Sequence, residues 1–146
     1  MPAIAITEPR SPAEIERARA IRRRVFVEEQ GIGEALEFDG LDDQARHLLA
    51  SVEGEPAGTL RVRLLEHGRI AKIERVAVLA PHRKHRVGRA LMIAALDFSR
   101  AQGAHEARVH AQTVVQAFYA GLGFAPFGSA FDEDGIRHIA MRMPLG

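Results

Sequence analysis

The chain has 146 residues, 47% of them apolar, so it fits one compact domain with a core of its own. It contains no cysteine, which excludes disulfides, thiolate metal sites and a cysteine nucleophile. The formal net charge of +1 does not by itself indicate any partner. No apolar run approaches about 18 residues, and the stretch MPAIAITEPR lacks a basic segment followed by an apolar one, so we expect no membrane span, no secretion signal and a cytoplasmic location.

The first predicted helix begins at Ser11-Pro12-Ala13-Glu14, which has a capping serine, proline at the first helical position and glutamate at the third. Apolar residues at helical spacing continue to Val25, and the Gly31/Gly33 pair ends the pattern. The stretch that follows, to about Arg46, predicts an irregular acidic loop. Positions 28 to 43 contain no lysine or arginine but seven acidic residues: Glu28, Glu29, Glu34, Glu37, Asp39, Asp42 and Asp43.

From His47 the pattern changes to short apolar runs broken by turns, which predicts three successive antiparallel strands. The strands are HLLASVE, AGTLRVRLL and IAKIERVAVL. A core-facing helix follows from about Val87 to Gln102, with Gly103 as its stop. Beyond it we expect the strand EARVHA, a short helix from about Thr113 to Ala120, and two terminal strands hinged by Glu133-Asp134-Gly135.

The segment LAPHRKHRVGR, from Leu79 to Arg89, places four fixed cations and two histidines at a helix start. A helix N-terminus already carries partial positive charge, so we expect a bound anion to offset these cations. Free amides, guanidinium groups and the small Gly88 together favour a phosphate site. The patterns G-x-x-x-x-G-K-[ST] and G-x-G-x-x-G are both absent, so the phosphate is held in another way. The alternative is a solvated basic turn.

The run RVAVLAPHRKHRVGRALM resembles the cofactor motif of the GNAT N-acetyltransferases, in which a strand leads through the loop R-x-x-G-x-[GA] into a helix. Arg83 takes the leading position and Gly88 the final glycine, while Arg86 stands where the first glycine is usual. QAFYAGLGFAPFG is similar to the downstream element of that superfamily. VFVEEQGI and LEFDGLDDQARH look like a bacterial stand-alone subgroup, so the resemblance covers nearly the whole chain.

The resemblance implies an α+β GNAT fold over a single domain, residues 1–146. Its mixed, mostly antiparallel sheet of six to seven strands would be flanked by about four helices and contain a splayed central strand pair. Acetyl-coenzyme A would lie in the splay as co-substrate, with a backbone N–H near Val76 stabilising the oxyanion. The implied cofactor-binding residues are Val76, Ala77, Val78, Arg83, Lys84, His85, Arg86, Val87, Gly88, Arg89 and Ala90.

Tyr119 occupies the F-Y position at which family members place the tyrosine that protonates the departing thiolate. Proton transfer from a phenol near pKa 10 to a thiolate near 8.5 is uphill by roughly 2 kcal/mol. For the base that deprotonates the attacking amine, Glu74 is the leading candidate, and strand alternation is expected to place it on the face of Val76 and Val78. His110 and a water relay remain rivals. Each of these side chains also has a purely structural interpretation.

The sequence leaves the acceptor open between a small-molecule and a peptide amine. The acidic loop is one candidate for attracting that amine, although a solvated surface is the stronger interpretation. A metal site at His82 and His85 is disfavoured by the cations around them. A non-catalytic acyl-coenzyme A sensor is the main alternative function, and a nucleic-acid module is a weaker one because stacking and basic surface are scarce. The oligomeric state also stays open, with a homodimer as one arrangement.

Overall fold

A mixed eight-stranded sheet forms the centre of the protein, for which the computed structural model describes residues 3–146. Met1 and Pro2, part of the predicted domain and of the stretch MPAIAITEPR, lie outside the described residues. The strands are β1 (Ile4–Thr7), β2 (Arg46–Val52), β3 (Glu55–Leu65), β4 (Ile70–Val78), β5 (Glu106–Gln112), β6 (Ala125–Pro126), β7 (Phe131–Glu133) and β8 (Ile136–Pro144). Their order is β1-β2-β3-β4-β5-β8-β6, with β7 paired to β8. The predicted α+β architecture is confirmed.

The helices lie on both faces of the sheet: α1 (Pro12–Arg22), α2 (Glu34–Glu37), α3 (Val87–Ala101) and α4 (Gln116–Gly121). The predicted capping box is present, since Ser11 Oγ accepts from Glu14 N–H at 3.1 Å and Ser11 N–H donates to Glu14 Oε1 at 3.3 Å. After α1 the chain widens into a π-helical segment, Arg23–Glu29. Within residues 3–146, no helix is both long enough and apolar enough to cross a membrane.

The sequence patterns do not predict two of the strands and one of the helices, because each is too short to show a hydrophobic period. β1 has four residues, β6 has two and includes a proline, and α2 is a single turn inside the predicted irregular loop. Their partners are distant in sequence: β1 pairs with β2, and β6 pairs with β8. Within residues 3–146 the sheet therefore has eight strands, where the resemblance implies six to seven.

The central strands β4 and β5 are parallel and pair only at their first residues, Ile70–Lys72 against Glu106–Arg108. β4 continues to Val78 and β5 to Gln112, so the two strands diverge from that point. The expected splayed strand pair is confirmed.

A bulge interrupts β4 beside the splay. The register with β3 shifts between the pairs Thr59–Ala77 and Arg61–Glu74, and the extra residue Arg75 has φ +59°. After the bulge, Val76 and Val78 pack against the core between the sheet and α3, which we call the α3-side core. Ala77 packs in the core between the sheet and α1, the α1-side core.

Glu74 lies on the α1 side of the sheet, next to its register partner Arg61. The expectation that Glu74 shares a face with Val76 and Val78 is therefore wrong. Strict alternation fails because the bulge at Arg75 inserts one residue between them.

Two buried arginines anchor the acidic segment 28–43. Arg22 and Arg61 are 1% and 0% exposed. Arg22 Nε lies 2.8 Å from Glu37 Oε2, Arg61 Nη2 lies 2.8 Å from Asp39 Oδ2, and both guanidinium groups reach Asp42 Oδ1. Six of the seven acids take part in ion pairs with arginines: Glu28, Glu29, Glu34, Glu37, Asp39 and Asp42. The segment is thus fixed to α1 and the sheet, and most of its charge is neutralised.

Glu74 belongs to the same network. Its Oε1 accepts from Arg63 Nε at 2.5 Å and from Arg61 Nε at 3.2 Å, and Lys72 Nζ lies 3.3 Å from its Oε2. Burial raises the pKa of this carboxyl, but the Arg63 hydrogen bond and the charges of Arg61 and Lys72 outweigh burial and lower the pKa from 4.5 to about 2.

We expect the free energy of unfolding to decrease as pH falls from about 5 to about 2. A depressed folded-state pKa stabilises the protein above the unfolded pKa and loses that effect as the carboxyl is protonated, which for Glu74 amounts to about 3 kcal/mol. Asp39 acts in the same direction, because its hydrogen bond from Arg61 lowers its pKa. Glu37 opposes both, because burial raises its pKa. Urea titrations at several pH values should show a flatter profile for Glu74→Gln, and an unchanged profile would contradict the assignment.

A second prediction concerns Gly58, where β3 approaches α3 closely. A Cβ there would lie 2.9 Å from Ala77 O, 3.0 Å from Leu91 Cδ1 and 3.1 Å from Val87 Cγ1. Gly58→Ala should therefore destabilise the protein by about 1–3 kcal/mol, measured as a lower urea midpoint. Gly121→Ala is the control, because its methyl would meet no atom of residues 3–146 within 4 Å apart from its chain neighbours and the backbone of its own helix. Equal midpoints for the two variants would show that the close approach is relaxed in solution.

Candidate active site

A cavity of about 680 Å³ opens where β4 and β5 diverge. The π-helical segment lines one side through Val25 and Phe26, and α4 lines another through Tyr119. Gln112 Nε2 donates to Gln30 Oε1 at 2.9 Å, which joins the end of β5 to the turn after the helical segment. The cavity is a cleft walled by elements that are distant in sequence.

The backbone of β4 faces this cleft at alternate residues. Leu79 N–H donates to Ala57 O at 2.8 Å, so Leu79 and, two residues earlier, Ala77 direct their backbone groups toward β3. Val76 and Val78 consequently direct theirs toward the diverging β5. Val78 O accepts from Arg83 Nε at 2.9 Å. Ala77 is also among the residues that the resemblance implies for cofactor binding. Its backbone groups point toward β3 and its side chain is buried, so it presents neither to the cleft.

The loop after β4 forms a 3₁₀ turn over Ala80–His85, and Arg86 then takes a left-handed conformation with φ +59° and ψ +31°. This backbone geometry explains why glycine is usual at the position, since a side chain there costs roughly 1–2 kcal/mol. The resemblance includes Ala90 among the residues that bind the cofactor. Its N–H already donates to Arg86 O at 3.0 Å, so this amide is used within the first turn of α3. The first three helical amides, of Val87, Gly88 and Arg89, are the ones that an α-helix leaves unpaired.

The cations of this loop are unequally placed. Arg83 is bound to the protein itself, with Nη2 2.8 Å from Glu29 Oε2. Lys84, Arg86 and Arg89 are exposed, and His85 is half-buried. The positive charge at the start of α3 is therefore available to an anionic ligand.

Gly88 lies beside two apolar side chains, those of Phe118 and Val78, and Val78 lines the cleft. A Cβ there would lie 3.6 Å from Phe118 Cζ and 3.7 Å from Val78 Cγ2. These are ordinary van der Waals distances, so the methyl group of alanine would fit at this position, and little space remains beside Gly88.

Tyr119 is buried on α4, lines the cleft and packs edge-on against Phe118 and Phe124, with ring centroids 5.0 and 6.0 Å away. Burial raises its pKa to about 12. Proton transfer to a thiolate near pKa 8.5 is then uphill by roughly 5 kcal/mol. Because the same apolar surroundings also raise the pKa of a buried thiol, the difference narrows when the thiolate forms inside the cleft.

Glu74 and His110, the two candidate bases, both line the cleft but have different partners. The oxygens of Glu74 are engaged by three cations, and its low pKa makes it a weak proton acceptor. His110 Nδ1 lies 3.1 Å from Glu133 Oε1, and His138 Nε2 lies 3.7 Å from Glu133 Oε2. The structure thus brings Glu133 and His138 to a site where the sequence indicates only His110.

The sequence contains part of the signal for this histidine–glutamate cluster. Asp134-Gly135 is a two-residue hairpin turn, and its register pairs Glu133 with Ile136 and Phe131 with His138. The position of His110 beside that hairpin depends instead on the pairing of β5 with β8, a long-range contact. Within residues 3–146, no three histidine, aspartate or glutamate side chains are arranged to hold a metal ion.

Comparison with known proteins shows which family this chain resembles. The model of the acetyltransferase (GNAT) domain matches residues 13–145. YyaT of Bacillus subtilis is 38% identical over 132 residues, 88% of each chain. An acyl-CoA N-acyltransferase from Pseudomonas aeruginosa superposes with a TM-score of 0.83 and 29% identity, over 97% of this chain and 99% of that one. An aminoglycoside 6'-N-acetyltransferase complexed with coenzyme A shares the fold, with a TM-score of 0.77 and 12% identity over 97% of both chains. The chain belongs to the GNAT acetyltransferase family.

Proposed function

We propose that this protein is an N-acetyltransferase that moves the acetyl group of acetyl-coenzyme A to a primary amine, carried by a small molecule or a peptide. The observation that carries the proposal is the divergence of β4 and β5 beyond Lys72. It leaves the backbone groups of Val76 and Val78 without a β5 partner beside the cleft, which Arg83 of the loop before α3 also lines. An extended pantetheine arm pairs with such a strand edge as an added strand does.

The pyrophosphate of the cofactor would lie at the start of α3. The amides of Val87, Gly88 and Arg89 point their N–H groups out of the helix end, where the helix dipole favours an anion. Lys84 and Arg86 add exposed positive charge beside them. Arg83 supports the loop through Val78 O and Glu29, and it contributes to phosphate binding only if it leaves Glu29.

The transfer is a direct attack. The amine nitrogen attacks the thioester carbonyl, a backbone N–H near Val76 stabilises the oxyanion of the tetrahedral intermediate, and the carbon–sulfur bond then breaks. Tyr119 donates its proton to the thiolate as it leaves. We assign Glu74 a supporting role, in which its ion pairs hold β3 and β4 together beside the bulge.

Cofactor binding can be tested by thermal melting. Acetyl-coenzyme A at 100 times its Kd should stabilise the protein by about 2.7 kcal/mol and raise its Tm by several degrees. Arg86→Gly keeps the left-handed conformation and should keep most of the shift, whereas Arg86→Val removes the same charge but disfavours that conformation, and should show a much smaller shift. An unchanged wild-type Tm would reject the cofactor assignment.

Catalysis can be tested by screening primary amines for release of free coenzyme A thiol, with Tyr119→Phe beside the wild type. Phenylalanine preserves the ring contacts with Phe118 and Phe124 but removes the proton donor. We expect the variant to lower kcat by about 100-fold. Equal rates would remove Tyr119 from the mechanism. A Tm shift with no thiol released by any amine would indicate the acyl-coenzyme A sensor instead.

A further inference from the structure

We propose that His110 Nε2 is the base that accepts a proton from the acceptor ammonium, and that Glu133 is the positioning residue that sets the tautomer of His110. This inference rests on the proposed acetyl transfer and assigns the amine end of its cleft. His110 and Glu133 meet at the end of β5 and the β7–β8 hairpin, with Nδ1 and Oε1 3.1 Å apart.

The tautomer follows from the chemistry of the partner. An ionised carboxylate only accepts hydrogen bonds, so the proton of a neutral His110 ring resides on Nδ1, which donates to Glu133. The lone pair is then on Nε2. Phe131 meets the ring edge-on, with centroids 5.1 Å apart, and helps to hold its orientation.

Strand alternation supplies the direction of the side chain. Val109 and Ala111 are buried in the α3-side core, so His110 between them lies on the opposite face of β5. The cleft is lined there by His110, Glu133, Asp134 and His138.

The charges at this end of the cleft differ from those of segment 28–43. Within residues 3–146, the basic side chains beside the Glu133 carboxylate are those of His110 and His138, and no arginine or lysine pairs with it. Asp134 lines the cavity beside it. This end therefore attracts a cationic amine, whereas the acids of segment 28–43 are mostly neutralised by arginines.

The charged groups around His110 come from three elements. Glu133 on β7 contacts the ring, and His138 on β8 stands beyond Glu133. Arg108, two residues earlier on the same face of β5, pairs with Glu106. His138 Nδ1 donates to Ile136 O at 2.7 Å, so the neutral ring offers no proton to Glu133 and leaves His110 as its hydrogen-bond donor.

The protons balance over the reaction. The acceptor ammonium transfers one proton to His110 Nε2, and the freed amine forms the carbon–nitrogen bond. The carbon–sulfur bond breaks as Tyr119 protonates the thiolate. The surplus proton of the new amide nitrogen restores Tyr119, and the imidazolium of His110 releases its proton to solvent.

The kinetic test compares His110→Gln with the wild type from pH 6 to pH 10, using the primary amine that the wild type acetylates fastest in the screen. We expect kcat/KM to fall by about 100-fold at pH 7 and the deficit to shrink toward pH 10, because the amine then arrives deprotonated. His105→Gln, an exposed histidine before β5, is the control and should match the wild type. A deficit that is constant with pH would indicate a structural role and overturn the proposal.

A second measurement does not depend on turnover. Nitrogen-15 NMR of the histidine rings should show His110 with its proton on Nδ1 in the wild type, and Glu133→Leu should remove that preference. A proton on Nε2 in the wild type would overturn the proposal. If no amine is acetylated, the proposed function fails while the NMR result still decides the tautomer, so the two failures can be told apart.

Discussion

The buried ion pairs of Arg22 and Arg61 with segment 28–43 are the interaction on which the cleft depends. Both guanidinium groups are almost completely buried, so each requires its carboxylate partners, and losing one partner of such a pair typically costs about 3–5 kcal/mol. The pairs position the segment that follows the π-helical wall of the cleft. Arg75, the bulge residue of β4, also reaches this segment, with Nη2 3.2 Å from Asp39 Oδ2 and Nε 3.2 Å from Glu37 Oε1. The network therefore links the cleft wall to the strand that opens the cleft.

The bulge and the splay together separate two chemical environments. On the α3 side, Tyr119 lies among apolar side chains, and burial holds its pKa near 12, which keeps the phenol protonated. At the β7–β8 end, His110 and Glu133 lie in a polar, partly exposed region. Two titratable groups in unlike surroundings can serve as acid and base in one reaction. Glu74, held by three cations, instead strengthens the sheet between these two regions.

Local patterns were sufficient where the structure is determined by nearby residues. The capping box at Ser11, the hairpin turn at Asp134-Gly135 and the apolar stripe of α3 each involve neighbours within a few residues. The loop into α3 and the position of Tyr119 on its helix were also predictable, because their motifs are contiguous. The sequence also showed that Arg86 stands where the loop usually has glycine. The structure explains why glycine is usual there, because this residue has a positive φ angle.

Sequence alone determined the α+β class, the strand–loop–helix before and within α3, and the candidate residues Tyr119, Glu74 and His110. Tertiary structure decided what surrounds them. The ion pairs of segment 28–43, the bulge at Arg75 and the meeting of His110 with Glu133 all join residues that are far apart in the chain or depend on strand register. Periodicity carries information only about faces of one element, whereas register and long-range charge pairing arise when the elements pack together.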